Sequence, residues 1–257
     1  MEKISFSELK TWKECPYKHK LTYIDDNRLF KGNIYTAFGT AIHHVCEQLI
    51  VDNNVKKIET IFTEKFKEEC KKVESEITEE HLSQIPAFNG QGVSICQHII
   101  PAVKEYFSEY EVVSVEEPLF EKITEIDTDR NFKGFVDLVL KTSDGKYHII
   151  DWKSCSWGWD SRRKADPMTT YQLTFYKKFF SDKHLIPLED IETHFALLKR
   201  TASKSRVEIF KVSSGSKKIN NAITLLETAI KNIDNKVYIK NRLSCRGCAF
   251  YKTEYCK

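Results

Sequence analysis

Two periods govern where apolar residues fall along this chain. Near the start, Leu9, Trp12 and Tyr17 recur at helical spacing behind a Ser5-x-x-Glu8 capping signal, and Pro16 is expected to end that helix or begin another. From Thr36 to Val51, Phe38, Ile42, Cys46 and Leu49 form one helical stripe, with His43 and Glu47 beside it one turn apart. Residues 53–110 read as charged helix, broken by a polar bend at HLSQIPAFNGQG and resuming through SICQHIIPAVKEYFSEY, with a kink expected at Pro101. The period then falls to two. EVVSVEEPLF, KITEID, FKGFVDLVLK, YHIIDWKS, ETHFALLKR and RVEIFKV read as strands. A helix from Asp166 to Phe180, capped by Asp166 and opened by Pro167, is inserted before the last two, and a final helix covers roughly Lys217 to Ile233.

This order predicts an α/β fold with a mixed central sheet flanked by helices. At 257 residues, with no Pro/Gly/Ser-rich linker, the chain is expected to form one domain. The opening MEKISFSELKTWKECP lacks a secretory pattern, and no apolar run approaches the ~18 residues of a membrane span, so a soluble, intracellular (cytoplasmic) protein with no membrane partner is expected. Its eight cysteines are then thiols or metal ligands rather than disulfides. A formal charge of +3 permits nucleic acid as a partner without arguing for it. The absence of a G-x-x-x-x-G-K-[ST] loop speaks against an ATP-driven motor in this sequence.

The stretch from Lys133 to Ser154 sets Asp137, Asp151 and Lys153 in otherwise apolar strands. The turn decides whether the acids meet. A two-residue Asp144-Gly145 loop would place Asp137 opposite Trp152 and separate them. A three-residue Ser143-Asp144-Gly145 loop, with glycine in the left-handed region, pairs Thr142 with Lys146 and sets Asp137 opposite Asp151, their Cβ atoms about 4.5–5.5 Å apart. Phe135, Asp137 and Val139 then share a face with Ile149, Asp151 and Lys153, while Val136, Leu138, Leu140, Ile150 and Trp152 line the other. Carboxylates that close repel unless a cation sits between them, and a divalent metal is the natural occupant, within reach of the Lys153 ammonium. The competing reading is an Asp151–Lys153 salt bridge at a strand end near solvent.

Gly39, His43 and Glu47 have G-x-x-x-H-x-x-x-E spacing, and Gln172 and Tyr176 share a helix face as Q-x-x-x-Y. In order, His43, the G-x-x-D from Gly134 to Asp137, the D-x-K from Asp151 to Lys153 and the Q-x-x-x-Y resemble the RecB-like branch of the PD-(D/E)xK nucleases, which includes stand-alone exonucleases and CRISPR-associated nucleases. The likeness spans nearly the whole sequence. It implies a restriction-endonuclease-like core at residues 111–212, a helical insertion at 52–110 and cluster-binding ends at 1–35 and 241–257. It also implies a metal-dependent DNA nuclease, an exonuclease acting on single strands or DNA ends. His43, Asp137, Asp151 and the Trp152 backbone carbonyl would hold Mg²⁺ or Mn²⁺. Lys153 would orient or activate the attacking water, and Gln172 and Tyr176 would hold the scissile strand. Asp151 stands where many relatives have Glu. Glu47 is expected to orient His43 or a basic partner, and His44 to lie at the surface, although a one-residue shift would exchange the two imidazoles.

Cys245, Cys248 and Cys256 are three thiols within twelve residues, one short of a four-coordinate site, and Cys15 can supply the fourth. Members of the same branch hold a four-iron four-sulfur cluster with one N-terminal and three C-terminal cysteines, so the resemblance implies that cluster here. A structural Zn²⁺ competes, since both accept four thiolates. Cys46 and Cys96 read as small buried hydrophobes. Trp157, Trp159, Arg162 and Arg163 follow the D-x-K strand directly and are the candidate DNA contacts; Tyr17, Lys18, Lys20, Lys164, Lys199 and Arg200 are weaker ones. A helicase or recombination protein is a candidate partner, and the oligomeric state is open. Two other readings stand beside the nuclease: a non-catalytic DNA-binding assembly subunit that keeps fold and cluster, and a zinc-stabilised protein whose D-x-K is a surface ion pair.

Overall fold

The computed structural model describes residues 2–52 and 57–257. Its axis is β3 (Asn131–Thr142), because three strands pair with it. Strand β2 (Tyr110–Lys122) runs antiparallel along the whole of one edge. The other edge is shared: β1 (Lys3–Ser5) runs parallel to Asn131–Lys133, and β4 (Tyr147–Cys155) pairs antiparallel with Leu138–Lys141. Outside β4 lie β5 (Ile191–Lys199), parallel to it, and β6 (Val207–Val212), antiparallel to β5. The result is the mixed sheet that the alternation of strands and helices predicts.

Both faces of the sheet are apolar and both are covered, as buried strands require. On one side Leu138, Leu140, Ile150, Trp152, Ala196 and Leu198 pack with α3 (Ile34–Asp52), α4 (Ile58–Lys72) and α5 (Glu79–Phe107). On the other, Val139, Ile149, Phe195 and Leu197 pack with α1 (Phe6–Glu14), α7 (Pro167–His184) and α8 (Ser216–Asp234). Local signals set the helix starts: Ser5 Oγ accepts the Glu8 N–H at 3.2 Å, and Asp166 accepts from the Thr169 N–H at 2.7 Å with Pro167 in the first turn. The hairpin takes the three-residue loop. Thr142 N–H donates to the Lys146 carbonyl at 3.0 Å, and Gly145 has φ +82°.

Five stretches depart from the pattern-based expectation. The polar bend at HLSQIPAFNGQG does not form, and α5 runs unbroken through Pro86 and Pro101. Its buried stripe, Phe88, Gly92, Ile95, Ile99, Val103 and Phe107, seals against α3 and α4, and that packing outweighs the local breakers. Gly92 is there for contact, since a Cβ would lie 2.0 Å from the Phe62 ring. KITEID is not a strand: Lys122 pairs with Asn131, the first residue of β3, so the ladder has no further rung, and Ile123 is a buried anchor in irregular chain. β1 and the short helix α6 (Ser161–Ala165), capped by Asp160, carried no periodic signal. Helix α7 continues one turn past Phe180, to His184. No helix among the described residues is long and apolar enough to cross a membrane.

Candidate active site at an opening in the sheet

The ladder between β3 and β4 ends at Leu138 and Ile150. In an unbroken ladder the next rung would pair Val136 with Trp152, whose N–H would go to the Val136 carbonyl. Instead Asp137 Oδ2 accepts the Trp152 N–H at 2.7 Å. The strands part here, and β1 reaches only to Lys133 on the shared edge, so residues 134–137 border an opening. Asp137 and Asp151 flank it, but the faces expected from the hairpin fail beyond Leu138: Val136 packs with Val139 and Ile149 instead of with Leu138, Ile150 and Trp152, and Phe135 is exposed, because the strands have parted.

Both helical layers reach this opening. Helix α3 brings His43, whose Nδ1 lies 3.6 Å from Asp137 Oδ2 and which faces the Trp152 backbone. Helix α7 brings Gln172 and Tyr176, joined by a 2.9 Å hydrogen bond from Gln172 Nε2 to Tyr176 Oη. Tyr176 lies against β3 where position 134 has no side chain; a Cβ there would meet the ring at 2.8 Å. Lys153 Nζ is 2.5 Å from Asp151 Oδ2, an ion pair made to a buried carboxylate. Asp151 is 1% exposed. The Asp151–Lys153 ion pair of the competing reading does form, but around a buried acid, with only the lysine reaching solvent.

Burial dominates the electrostatics. It pushes the Asp137 carboxyl up to about 7 against the pull of Lys153, and Asp151 up to about 6. It lowers His43, with Lys153 adding to the effect, and raises the Tyr176 hydroxyl. Glu47 is pushed up to about 7, first by burial and then by the charge of Glu116, with which it hydrogen-bonds. Glu47 thus faces Glu116 and, at 4.0 Å, His44 Nδ1, so of the two expected partners it has the basic neighbour and not His43. Glu116 is a site residue that periodicity did not find. It sits in β2 between the pairs Val115–Leu138 and Glu117–Val136, opposite Asp137, with φ +50°. The left-handed residue turns Glu116 toward Glu47, while Glu117 turns out to Lys183 and His184. A bulge upstream, between Val112 and Ser114, sets this phase, and nothing in the run EE marks which glutamate faces inward.

Four buried or half-buried carboxyls thus face one ammonium and one imidazole. By its chemistry, one imidazole, two carboxylates and a peptide carbonyl, the donor set of His43, Asp137, Asp151 and Trp152 suits a divalent cation. The sequence matches the family described as the PD-(D/E)XK nuclease superfamily over residues 3–256. The chain belongs to that superfamily. The crystal structure of a candidate exonuclease from Eubacterium rectale shares the fold, at TM-score 0.59 and 13% identity over 98% of this chain and 89% of that one. A structure of the protein SSO0001 aligns at TM-score 0.37 and 14% identity over 91% of each chain, too distant to carry an argument. No curated protein matches the sequence.

Around this PD-(D/E)XK core the other candidates divide by exposure. Trp157 is 78% exposed, and Arg162 is exposed on α6. Trp159 is 8% exposed, packed edge-on to Phe195 at 5.0 Å with the Arg163 guanidinium 4.5 Å over its ring, so it is core and not a platform for a base. Arg200 is likewise buried, its guanidinium over the rings of Tyr35, Phe38 and Phe88, and Lys199 is tied to Glu208. Neither is free to follow a nucleic-acid backbone. Cys46 and Cys96 are core residues as expected.

The four remaining expected ligands come together. Cys15, Cys245, Cys248 and Cys256 are free thiols lining one cavity of about 360 Å³ where the two ends of the chain meet. Asn241 N–H donates to Cys15 Sγ at 3.3 Å, and Tyr17 N–H donates to the Ile239 carbonyl at 3.3 Å. Four thiols around one cavity fit a thiolate-bound metal or cluster.

Proposed function

We propose that this chain is a divalent-metal-dependent deoxyribonuclease of the RecB-like branch, an exonuclease acting on single-stranded DNA or DNA ends. The observation that carries the reading is the Asp137–Trp152 bond, which opens the sheet and holds a peptide between His43 and two buried acids. Mg²⁺ or Mn²⁺ at His43, Asp137, Asp151 and the Trp152 carbonyl would polarise the scissile phosphoryl oxygen. Lys153, at 31% side-chain exposure, reaches from the buried Asp151 toward solvent and would orient the attacking water and steady charge as the phosphodiester opens. The Gln172–Tyr176 pair would hold the scissile strand, and Trp157, Arg162 and Arg163 would contact the DNA beyond it. Glu47 and Glu116 would share a proton beside the acids.

The cysteine cavity is assigned a four-iron four-sulfur cluster that joins the ends of a single nuclease domain, with Zn²⁺ as the competing occupant. The core is at residues 111–212 and the helical insertion at 52–110, inside one intracellular protein. A helicase or recombination protein would supply or receive the DNA end.

The test uses anaerobically purified protein and single-stranded DNA labelled at either end, with Mg²⁺ or Mn²⁺, comparing the native chain with Lys153→Ala. The reading expects metal-dependent release of label, reduced at least about 100-fold in the variant. The label released first gives the polarity. Native protein that binds DNA and leaves it intact with every metal, while still holding its cysteine-bound metal, would replace this reading with that of an assembly subunit.

A further inference from the structure

A second convergence of ligands lies away from the acids just described. Strands β4 and β5 run parallel with His148 beside Glu192 and Ile150 beside His194, so His148, Glu192 and His194 fall on one face, the face opposite Asp151. His148 Nδ1 is 3.1 Å from His194 Nε2, and Glu192 Oε2 is 3.8 Å from the first and 3.9 Å from the second. A triangle with these sides has its centre about 2.1 Å from every corner, the bond length of zinc to imidazole and carboxylate. Among the described residues these are the three acid, thiol or imidazole groups whose ligand atoms converge within 4.8 Å.

The surroundings prepare the nitrogens as ligands. Thr142 Oγ1 donates to Asp144 Oδ1 at 2.5 Å, which leaves its lone pair to accept from His148 Nε2–H at 2.8 Å. That network assigns the tautomer with Nδ1 bare, where it accepts from His194 Nε2–H at 3.1 Å until a metal displaces that proton, and it gives His148 the outer support that metal-bound histidines ordinarily have. The His194 ring is 1% exposed, and its Nδ1 has no hydrogen-bond partner. Burial lowers His148 and drives His194 down to about 3, so both rings are neutral. Lys211 takes Glu192 Oε1 at 2.5 Å and leaves Oε2 facing the imidazoles. A surface cavity bordered by Phe107, Ser108 and Ser143 gives access and room for a fourth ligand.

We propose that His148, His194 and Glu192 form a zinc site, with water as fourth ligand, that clamps the starts of β4 and β5. Two imidazoles and one carboxylate select zinc over Mg²⁺ or Mn²⁺, which prefer all-oxygen ligands. The site is separate from both the acid cluster and the cysteines. It stands whether or not the chain cuts DNA.

The test loads chelator-treated full-length protein with Zn²⁺, measures metal by mass spectrometry, and repeats the loading with Co²⁺ followed by absorption. The native chain is expected to hold one more zinc than His194→Asn or Glu192→Gln, and to show a Co²⁺ d–d band that both variants lose. Thiolate-to-metal absorption from the cysteines remains in all three. Thr142→Val, which removes only the outer support, should weaken zinc about 10–100-fold. Glu192 is only half-buried, so Glu192→Gln keeps the comparison open if His194→Asn does not fold. Equal zinc in the native chain and a folded Glu192→Gln variant would overturn the proposal.

Discussion

Asp137 takes the amide of Trp152 at 2.7 Å, in place of the backbone carbonyl that an unbroken ladder would supply. One carboxylate therefore both parts the strands and faces the site. Asp137→Asn keeps an acceptor for the amide and removes the charge. Mn²⁺ affinity, followed by electron paramagnetic resonance, is expected to fall at least about 10-fold. Without metal, the same variant should melt higher than the native chain at pH 8, because a buried acid with too few cations has been neutralised.

The same acids should make the stability of the metal-free chain depend on pH. Asp137 and Glu47 sit at about 7 and Asp151 at about 6, against ordinary values of 3.8 for Asp and 4.5 for Glu. Between about pH 4 and 7 these acids hold protons in the folded chain that the unfolded chain has lost, so their part of the unfolding free energy falls as pH rises, while the buried His148 and His194, held below their ordinary value, act in the opposite sense below about 6.5. The acid part is therefore read as a difference: from pH 5 to 8 the native chain should lose roughly 1–3 kcal/mol, or roughly 2–10 °C in Tm, relative to Asp137→Asn. Calorimetry with excess Mn²⁺ should shrink that loss, since the cation replaces the protons.

Position 134 must lack a side chain for Tyr176 to lie on β3. Gly134→Ala puts a Cβ 2.8 Å from the ring, and overpacking of this kind costs about 1–3 kcal/mol. Urea melts should show that loss, together with reduced cleavage. Tyr176→Ala should cost less in the Gly134→Ala background than in the native chain, a coupling that a double-mutant cycle would measure.

Adjacent glutamates in β2 have opposite fates. Glu116→Gln changes a carboxyl that hydrogen-bonds Glu47 and lies opposite Asp137, so the metal dependence of cleavage should shift to higher cation concentration. Glu117→Gln loses contacts to Lys183, His184 and Ser114, away from Glu47 and Asp137, and should leave the metal titration in place.

Two tryptophans that look alike in the sequence separate in the fold. Trp157→Ala should keep the native Tm and weaken single-stranded DNA binding by about 1–3 kcal/mol, as read by fluorescence anisotropy. Trp159→Ala removes a core ring that touches Phe195 and Phe210 and should cost about 3–5 kcal/mol of stability.

Much of this site was legible because its parts are local. The hairpin register follows from a three-residue loop with glycine at its third position, and loop length alone decides that Asp137 and Asp151 face each other. His43 and Glu47 on one helix, and Gln172 and Tyr176 on another, follow from a spacing of four. Local breakers misled at α5, where Pro86 and Gly92 read as a bend and burial against Phe62 overrode them.

The sequence by itself determined the order of the main strands and helices, the three-residue hairpin loop and which acid stands beside the lysine, because these rest on periods and turns a few residues long. Only the tertiary structure decided that Glu116 and not Glu117 turns inward, that Trp159 is core, and that His148 and His194 meet. Each of those depends on a bulge or on the pairing of strands far apart in the chain, and no spacing in the sequence encodes the distance between them.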